Sequence, residues 1–294
     1  MSKPLKIVVL AKQVPDTRNV GKDAMKADGT VNRAALPAIF NPEDLNALEQ
    51  ALILKDMREG STVQVLTMGP PRAADILRDA MFRGADGGIL LTDRKFAGAD
   101  TLATSYALSR ALVKINPDII VAGRQAIDGD TAQVGPQVAE KLGLPQVTYA
   151  EEIVSLSDDN GEIVIKRRLD HGVEIVSSSL PLVVTVNGSA AECRPQHAKR
   201  VMKYKYAKTP SELQEADSDY MNSLCARKEY LNIQEWSVAD VDADDNQLGL
   251  AGSPTKVKQI ENVVFQAKEA KRLTAADNDI NDLMVELIAS HTLG

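Results

Sequence analysis

A strand, a glycine-containing loop and a helix follow one another between residues 118 and 142, and this succession constrains the fold most. Residues 118–122, DIIVA, form a short apolar run whose β-branched residues favour a buried strand. The loop 123–136, GRQAIDGDTAQVGP, comes next, and apolar residues then recur at helical spacing from Val134 to Leu142. Glycine lets a backbone approach a ligand closely, and a first helical turn offers unpaired N–H groups at a positive dipole end. The succession therefore predicts a phosphate-binding site.

Turn formation and helix capping explain the same loop without a ligand, since such helix starts recur in doubly wound sheets. Asp130 fits a capping residue with Gln133 reaching back, and Thr131 would then bring a hydroxyl into the first turn. Asp128 and Asp130 would repel a phosphate unless they point away from it or serve as caps. Pro136 fits poorly inside a helix that begins at Thr131 and better at a first helical position, so two helix starts stay open.

Strand-like and helix-like segments alternate along the first half of the chain. Before the loop, strands are predicted at residues 5–11, 62–67 and 88–91, and helices at 42–57, 73–83 and 101–115, the last of them capped by Asp100. This alternation predicts an α/β fold with a parallel sheet and helices on both faces. No glycine follows the first strand in the manner of a dinucleotide fingerprint. A ligand crevice is therefore expected where the strands end at Leu10, Met68 and Gly123.

The first of these helices begins with a strong start signal. Asn41 suits the capping position, Pro42 the first helical position, and Glu43 and Asp44 the first turn. Capping alone explains Asn41. Pro15 is expected to end the first strand region, and residues 17–40 are interpreted as a polar excursion.

The pattern changes after residue 145. Short β-type runs occupy residues 147–149, 153–155, 163–165 and 174–176, and Asp158-Asp159-Asn160-Gly161 is a strong turn signal. They predict a small antiparallel addition beside the parallel sheet, before residues 182–186 return as a buried strand. The basic cluster 166–168 is interpreted as a solvated strand edge.

We expect a nucleotide-binding domain over residues 1–205 and an extension over residues 206–294. The extension is polar, with a helix from about Pro254 and a last helix over Ala276–Ser290, and with few strands it is not expected to join the sheet. An amphipathic pattern does not show which surface a helix packs against, so these helices either pack on another chain or cover the chain's own core.

Composition excludes several classes of function. A net charge of -7 and four phenylalanines with one tryptophan argue against nucleic acid as a partner. Two cysteines suggest neither a disulfide framework nor a metal site. No signal peptide or apolar run long enough for membrane insertion is recognised, so a cytoplasmic location is expected. The three histidines lie outside the loop and no nucleophile stands beside a base, which favours a binding or electron-carrying role over hydrolysis.

Two motifs resemble the beta subunit of electron-transfer flavoproteins. The first is Gly123-Arg124-Gln125-Ala126-Ile127-Asp128, followed by Asp130 and Gln133. The second is residues 165–176, IKRRLDHGVEIV, followed by 181–185, PLVVT, and it departs from the family pattern at His171. The likeness runs from about Leu5 to Lys203 and resumes at residues 250–255, LAGSPT.

The resemblance implies a three-layer parallel sheet of the adenine nucleotide alpha hydrolase-like type, with the nucleotide in the predicted crevice. It implies nucleotide contacts from three strand ends, the helix start at Asn41 and the loop, namely from Leu10, Ala11, Asn41, Pro42, Asp44, Met68, Gly69, Gly123, Arg124, Gln125, Ala126, Ile127, Asp128, Gly129, Asp130, Thr131, Ala132, Gln133 and Val134.

Members of this family hold either AMP or FAD in the beta subunit, and the alpha subunit carries the other FAD. The sequence at 128–136 resembles members that bind FAD and bifurcate electrons, since AMP-binding members tend to have bulkier or more polar residues at Gly129 and Thr131. Physically, Gly129 opens room for a larger ligand, and Thr131 can bond a pyrophosphate oxygen. We expect FAD, with AMP as the alternative, and NADH as the electron donor. The chemistry would belong to the flavin, while the protein sets position and potential.

The resemblance also implies partners. These are an alpha subunit in a heterodimer, embraced by the C-terminal arm, an acyl-CoA or other dehydrogenase, and ferredoxin or flavodoxin as the low-potential acceptor. An ordinary electron carrier with structural AMP is the alternative within the family. A universal-stress-type nucleotide-binding regulator is the alternative outside it, and an ATP pyrophosphatase-type enzyme is disfavoured because the first strand lacks a Ser-Gly-Gly loop.

The basic segment 192–208 matches the loop by which the family docks its redox partners through a protruding leucine. Ala198 stands at that position here, so a different partner is expected. His197 is interpreted as a surface residue, and His171 as a turn residue without a catalytic role.

Overall fold

A computed structural model describes residues 3–16, 37–216, 218–255, 270, 272–290 and 292. Its strands are β1 (Lys6–Leu10), β2 (Gln13–Pro15), β3 (Ala38–Phe40), β4 (Thr62–Met68), β5 (Gly87–Leu91), β6 (Ile119–Gly123), β7 (Gln146–Leu156), β8 (Ile163–Leu169), β9 (Gly172–Ser178), β10 (Leu182–Val186) and β11 (Gln234–Trp236). Its helices are α1 (Pro42–Met57), α2 (Ala74–Arg83), α3 (Thr101–Ile115), α4 (Val134–Leu142), α5 (Ala198–Tyr204), α6 (Pro210–Ala216), α7 (Asp219–Arg227) and α8 (Asp277–Ala289).

The described strands form one large sheet and one small one. The large sheet has the order β11-β5-β4-β1-β6-β10-β7-β8-β9, and β2 pairs with β3 in an antiparallel ribbon. All neighbours from β11 to β7 are parallel, as the alternation of strands and helices predicts. Val9 of β1 lies between Val65 of β4 and Val121 of β6. Because the chain proceeds outward from β1 in both directions, the sheet has a topological switch point beside β1.

The core lies on both faces of this sheet because the central strands are apolar at successive positions. Ile7 and Val9 are fully buried in an apolar cluster with residues of α1 and α2, while Val8 and Leu10 join a second cluster with residues of α3 and α4. Continuous apolar strands of this kind are typical of parallel sheets covered on both sides. The predicted α/β architecture with three layers is confirmed.

The antiparallel addition is confirmed, with one correction to its strands. The runs at 147–149 and 153–155 belong to the single long strand β7, whose pairing with β8 shifts twice near Ala150 and Ile153. Tyr149 lies next to this irregularity with a left-handed φ of 58°. A bulge lets one strand continue where the sequence pattern suggests two.

The basic cluster lies on β8, which is an interior strand between β7 and β9 and not the predicted edge, and its charges are paired. Lys166 and Arg168 contact Glu151 at 3.2 and 2.8 Å, and Arg167 contacts Glu174 at 2.9 Å. Arg168 lowers the pKa of Glu151 to about 2, with Lys166 also contributing.

Two expectations about the strands are wrong. Pro15 does not end the first strand, because β1 ends at Leu10; residues 13–15 form the separate strand β2, which pairs with β3 and ends at Pro15. A strand from the polar segment after residue 206 does join the sheet, since β11 pairs in parallel with β5 at the edge. Three residues are too short a run to show a strand period, so the pattern could not reveal β11.

Residues 1–257 form one compact unit and residues 258–294 another. The helix predicted from about Pro254 falls mainly on residues 256–269, and the polar excursion predicted at residues 17–40 falls mainly on residues 17–36; both of these ranges are outside the described part of the chain, while residues 38–40 form β3. The last helix, α8, is present and exposes Ile280, Met284, Val285 and Ile288. Its packing on a partner stays a prediction, as does the boundary at residue 205. Among the described residues, the structure has no helix with the length and apolar character needed to cross a membrane.

Candidate functional site

A cavity of about 410 Å³ lies at the carboxyl ends of β1, β4 and β6, beside the switch point. Fourteen of the nineteen predicted site residues line it, namely Leu10, Ala11, Asp44, Met68, Gly123, Arg124, Gln125, Ala126, Gly129, Asp130, Thr131, Ala132, Gln133 and Val134. The other five, which are Asn41, Pro42, Gly69, Ile127 and Asp128, do not line it. The cavity therefore lies at the strand ends where the sequence predicts a crevice.

The first half of the loop is fastened to the first turn of α1. The Ile127 N–H donates to Asn41 Oδ1 at 3.1 Å, and Asn41 Nδ2 donates to the Gln125 carbonyl at 2.9 Å. Glu43 accepts the Gln125 N–H at 2.8 Å, and Asp44 accepts the Gly123 N–H at 3.1 Å. The backbone N–H groups of residues 123, 125 and 127 thus donate to side chains in the first turn of α1 or to Asn41, the residue before that helix.

Asn41 has a different role from the one expected of a cap. It precedes α1 and is fully buried, but its side chain makes no capping hydrogen bond. The two hydrogen bonds to the loop use its amide instead. Asn41 therefore positions the loop from behind rather than lining the cavity.

Gly123 is required by the close approach of β6 to α1. A Cβ atom at this position would lie 2.3 Å from Asp44 Oδ1 and 2.8 Å from the Asp44 nitrogen. Real Cβ contacts are never so short, and one of the two atoms belongs to the helix backbone. Glycine at this position therefore lets the backbone of β6 approach that of α1 closely, next to the cavity.

Asp44 is a buried carboxyl group at the wall of the cavity. Its oxygens accept the N–H groups of Lys12 at 2.8 Å and Gly123 at 3.1 Å, so it joins the ends of β1 and β6. Burial raises the pKa of Asp44 to about 7, because the N–H donors and Asn41 offset only part of the desolvation. This carboxyl group therefore titrates near neutral pH.

The second half of the loop leads into α4, which begins at Val134 rather than at Thr131. Asp130 is not a cap: it has a left-handed φ of 48° and accepts a hydrogen bond from Gln125 Nε2 at 3.1 Å. Gln133 precedes the helix and does not reach back as a capping residue. Pro136 is the third helical residue, where a backbone N–H would have no intrahelical partner in any case.

The loop carboxylates are engaged within the protein, which reduces the expected repulsion of a phosphate. Asp128 pairs with Lys12 Nζ at 2.7 and 2.8 Å, and Asp130 is held by Gln125. Several backbone N–H groups at the cavity remain, since the described residues provide no acceptor for those of Thr131, Ala132, Val134 and Gly135 at the start of α4. A helix N-terminus with such donors is suited to bind an anion.

The opposite wall was not predicted. Asp100, Thr101 and Thr104 line the cavity from the start of α3, and Phe96 and Gly98 line it from the segment before that helix. The sequence identified Asp100 as a cap, and it does accept the Ala103 N–H at 3.0 Å. What it could not show is that the amino ends of α3 and α4 face one cavity, since this depends on the sheet order.

A segment from the end of the compact unit braces that wall. Asp100 N–H donates to Ser253 Oγ at 2.8 Å, and Asp100 Oδ2 accepts the Thr255 N–H at 3.1 Å. The segment 250–255, where the family likeness resumes, thus contacts the start of α3.

The histidine and docking positions lie elsewhere. His171 is exposed in the turn between β8 and β9. Ala198 is the exposed first residue of α5, and the exposed His197 precedes it. None of the three lines the cavity.

The fold and the cavity define a doubly wound α/β protein with a helix N-terminus set for an anionic ligand. The Electron transfer flavoprotein domain matches residues 28–210 of the chain. This chain belongs to the electron transfer flavoprotein family, as a subunit of the beta type. Membership implies an alpha-subunit partner and a role in electron transfer. It disfavours the regulator of the universal-stress type.

Three relatives illustrate the match. The chain is 42% identical to Electron transfer flavoprotein subunit beta of Clostridium acetobutylicum, over 87% of each chain. It is 39% identical to Protein FixA of Sinorhizobium fredii, over 97% of this chain and 92% of the other. It is 50% identical to Acryloyl-CoA reductase electron transfer subunit gamma of Anaerotignum propionicum, over 62% of this chain and 67% of the other.

Proposed function

We propose that this subunit binds FAD in the cavity and that its heterodimer with an alpha subunit bifurcates electrons from NADH. One electron of each pair would go to a low-potential acceptor, ferredoxin or flavodoxin, and the other through the alpha subunit to a dehydrogenase. The observation that carries the nucleotide site is the row of N–H donors at residues 131–135 at the start of α4, where the loop carboxylates are engaged elsewhere.

The donor set fits a nucleotide phosphate. The N–H groups of Thr131, Ala132, Val134 and Gly135 are suited to phosphate oxygens. Arg124 Nε is a further buried donor for which the described residues provide no acceptor. The cavity volume of about 410 Å³ also falls in the range of about 300–1,000 Å³ usual for small-molecule sites.

AMP and FAD share the adenosine phosphate portion, so the donors alone do not separate them. Two features favour FAD. A Cβ at Gly129 would meet nothing within 4 Å, which leaves open space beside the loop. Thr131 lines the cavity and offers a hydroxyl for a second phosphate. AMP as a structural ligand in an ordinary electron carrier is the second candidate, because the cavity fits the shared portion equally well.

A bound flavin supplies hydride acceptance and single-electron transfer, while the protein supplies position and electrostatics. In this chain, α1 fixes the loop through Asn41, Glu43 and Asp44, and α4 presents its N–H groups to the phosphates. A dehydrogenase acting on acyl-CoA is the proposed partner, since a relative is named as the electron transfer subunit of an acryloyl-CoA reductase.

The first experiment counts nucleotides. The complex is purified with its alpha subunit and denatured, and the released FAD and AMP are quantified by chromatography. Two FAD per heterodimer support the proposal. One FAD with one AMP would replace it by the structural-AMP alternative, and the absence of any nucleotide beyond the alpha-subunit FAD would refute the site.

A variant pair assigns the second nucleotide to this cavity. Thr131→Val removes the hydroxyl while keeping the shape, and we expect FAD to dissociate up to about tenfold more readily, as for one lost hydrogen bond. Thr131→Ser keeps the hydroxyl and is the matched control. Equal FAD retention by both variants would exclude the hydroxyl as a ligand.

Bifurcation is tested with the complete system. NADH oxidation by the complex should reduce ferredoxin only when the dehydrogenase and its acyl-CoA substrate are both present. Ferredoxin reduction without that substrate, or none under any condition, would exclude bifurcation.

A further inference from the structure

Lys12 stands at the carboxyl end of β1 and lines the cavity, although the motifs gave no reason to select it. Its backbone is fixed, because its N–H donates to Asp44 Oδ2 at 2.8 Å. Its side chain is 50% exposed, and the ammonium group contacts both carboxylate oxygens of Asp128 at 2.7 and 2.8 Å. The cation is thus anchored at its base and accessible at its tip.

The other charges of the cavity wall are held by the protein. Arg124 is the second cation there, and Glu43, a largely buried carboxylate, binds its guanidinium at 2.8 Å. Asp44 accepts two backbone N–H groups, Asp100 caps α3, and Asp130 accepts from Gln125. Lys12 is therefore the cation of this wall that could turn to a ligand without breaking a buried ion pair.

Exchange of partners at Lys12 is energetically feasible. An ion pair with an exposed member contributes little to stability, because water competes for both charges. A hydrogen bond from an ammonium group to a phosphate is stronger than one between neutral groups. A phosphate at the start of α4 would thus compete with Asp128 for Lys12.

We propose that Lys12 is a further nucleotide-binding residue, whose ammonium group exchanges Asp128 for a phosphate oxygen of the nucleotide. Asp128 then acts as a competitor that lowers phosphate affinity. This inference rests on the nucleotide site proposed above and adds a residue and a competing ion pair to it.

The test separates phosphate binding from simple fastening of the loop. The heterodimer is freed of exchangeable nucleotide by high-salt dialysis, and AMP and adenosine are titrated calorimetrically into the wild type, Lys12→Met, Lys12→Arg and Asp128→Asn. Lys95→Met is the matched control, since Lys95 forms an exposed ion pair with Asp245 at 2.6 Å and does not line the cavity.

The expected results differ in sign between the two partners. Lys12→Met weakens AMP binding about ten- to hundredfold, as for a lost hydrogen bond between charged groups, and changes adenosine binding by less than about twofold. Asp128→Asn strengthens AMP binding by up to about fivefold, because the competitor is gone. Lys12→Arg retains most of the AMP affinity, and Lys95→Met has no effect.

Two results would overturn the inference. If Lys12→Met and Asp128→Asn weaken AMP and adenosine alike, the ion pair only fastens the loop. If Lys12→Met leaves AMP binding unchanged, the side chain does not contact the phosphate. Failure of the wild-type complex to bind AMP, adenosine or FAD in this subunit would instead refute the nucleotide site itself, so the two failures are distinguishable.

Discussion

Asp44→Asn should remove a pH dependence from the stability of this protein. Asp44 is buried between the ends of β1 and β6, and burial raises its pKa to about 7 from an ordinary value of 3.8. The neighbouring charge that acts on it is Glu43 on the same helix, which raises the pKa, while the N–H groups of Lys12 and Gly123 and the side chain of Asn41 lower it. The Asn variant keeps the size of the side chain and has no titrating group.

The sign and size of this pH dependence follow from the pKa of Asp44 in the folded chain and its ordinary pKa in the unfolded chain. Between 3.8 and about 7 the folded chain holds a proton on Asp44 that the unfolded chain has released, so the free energy of unfolding falls as pH rises. One pH unit corresponds to about 1.4 kcal/mol. From about pH 5 to about pH 7 the wild type should therefore lose about 2 kcal/mol relative to Asp44→Asn, because the other titrating groups are common to both.

Urea unfolding of the heterodimer at one protein concentration, followed by far-ultraviolet circular dichroism, measures this difference at several pH values. The comparison uses the difference between the two proteins at each pH. Parallel stability curves would refute the reasoning. They would show that the N–H groups of Lys12 and Gly123 outweigh burial and keep the carboxylate ionised throughout.

Three further changes test the site. Gly123→Ala should lower the free energy of unfolding in urea by about 1–3 kcal/mol, because its Cβ would overlap Asp44. Gly129→Ala, where the Cβ would meet open space, should change it by less than about 0.5 kcal/mol. Equal effects of the two variants would contradict the packing argument. Asn41→Ala should cost about 1–3 kcal/mol in urea unfolding and weaken AMP binding, since two hydrogen bonds to the loop are lost, and unchanged AMP affinity would show that the loop holds its shape alone. Asp100→Ala should lower thermal stability by about 1 kcal/mol through the lost cap, and an unchanged midpoint would exclude that role.

The sequence could predict what depends on local pattern. Continuous apolar runs indicated β1, β4, β5 and β6, and Asp100 was correctly identified as the cap of α3. The parallel sheet then placed the crevice, because carboxyl ends of parallel strands meet at one edge. Most predicted site residues line the cavity for this reason.

What the sequence could not predict depends on contacts between distant residues. Asn41 resembled a cap because a short side chain with an acceptor oxygen suits both capping and loop fastening, and only the approach of α1 to β6 distinguishes them. Asp130 resembled a cap for similar reasons, yet its left-handed backbone places the helix start three residues later than Thr131. Lys12 belongs to the cavity only because β1 and β6 are neighbours.

The two halves of the loop differ in how their backbone N–H groups are used. This difference explains how a loop with two aspartates can still be suited to bind an anion. In residues 123–127 the N–H groups at 123, 125 and 127 are bound by side chains from the start of α1, so this half is fixed and has few donors left. In residues 131–135 no described acceptor takes the N–H groups of Thr131, Ala132, Val134 and Gly135, so this half keeps its donors. Asp128 and Asp130 lie between the halves and are bound by Lys12 and Gln125. Their charges are thus paired within the turn in this structure, and the positive dipole end at the start of α4 is suited to the anion that we propose as ligand.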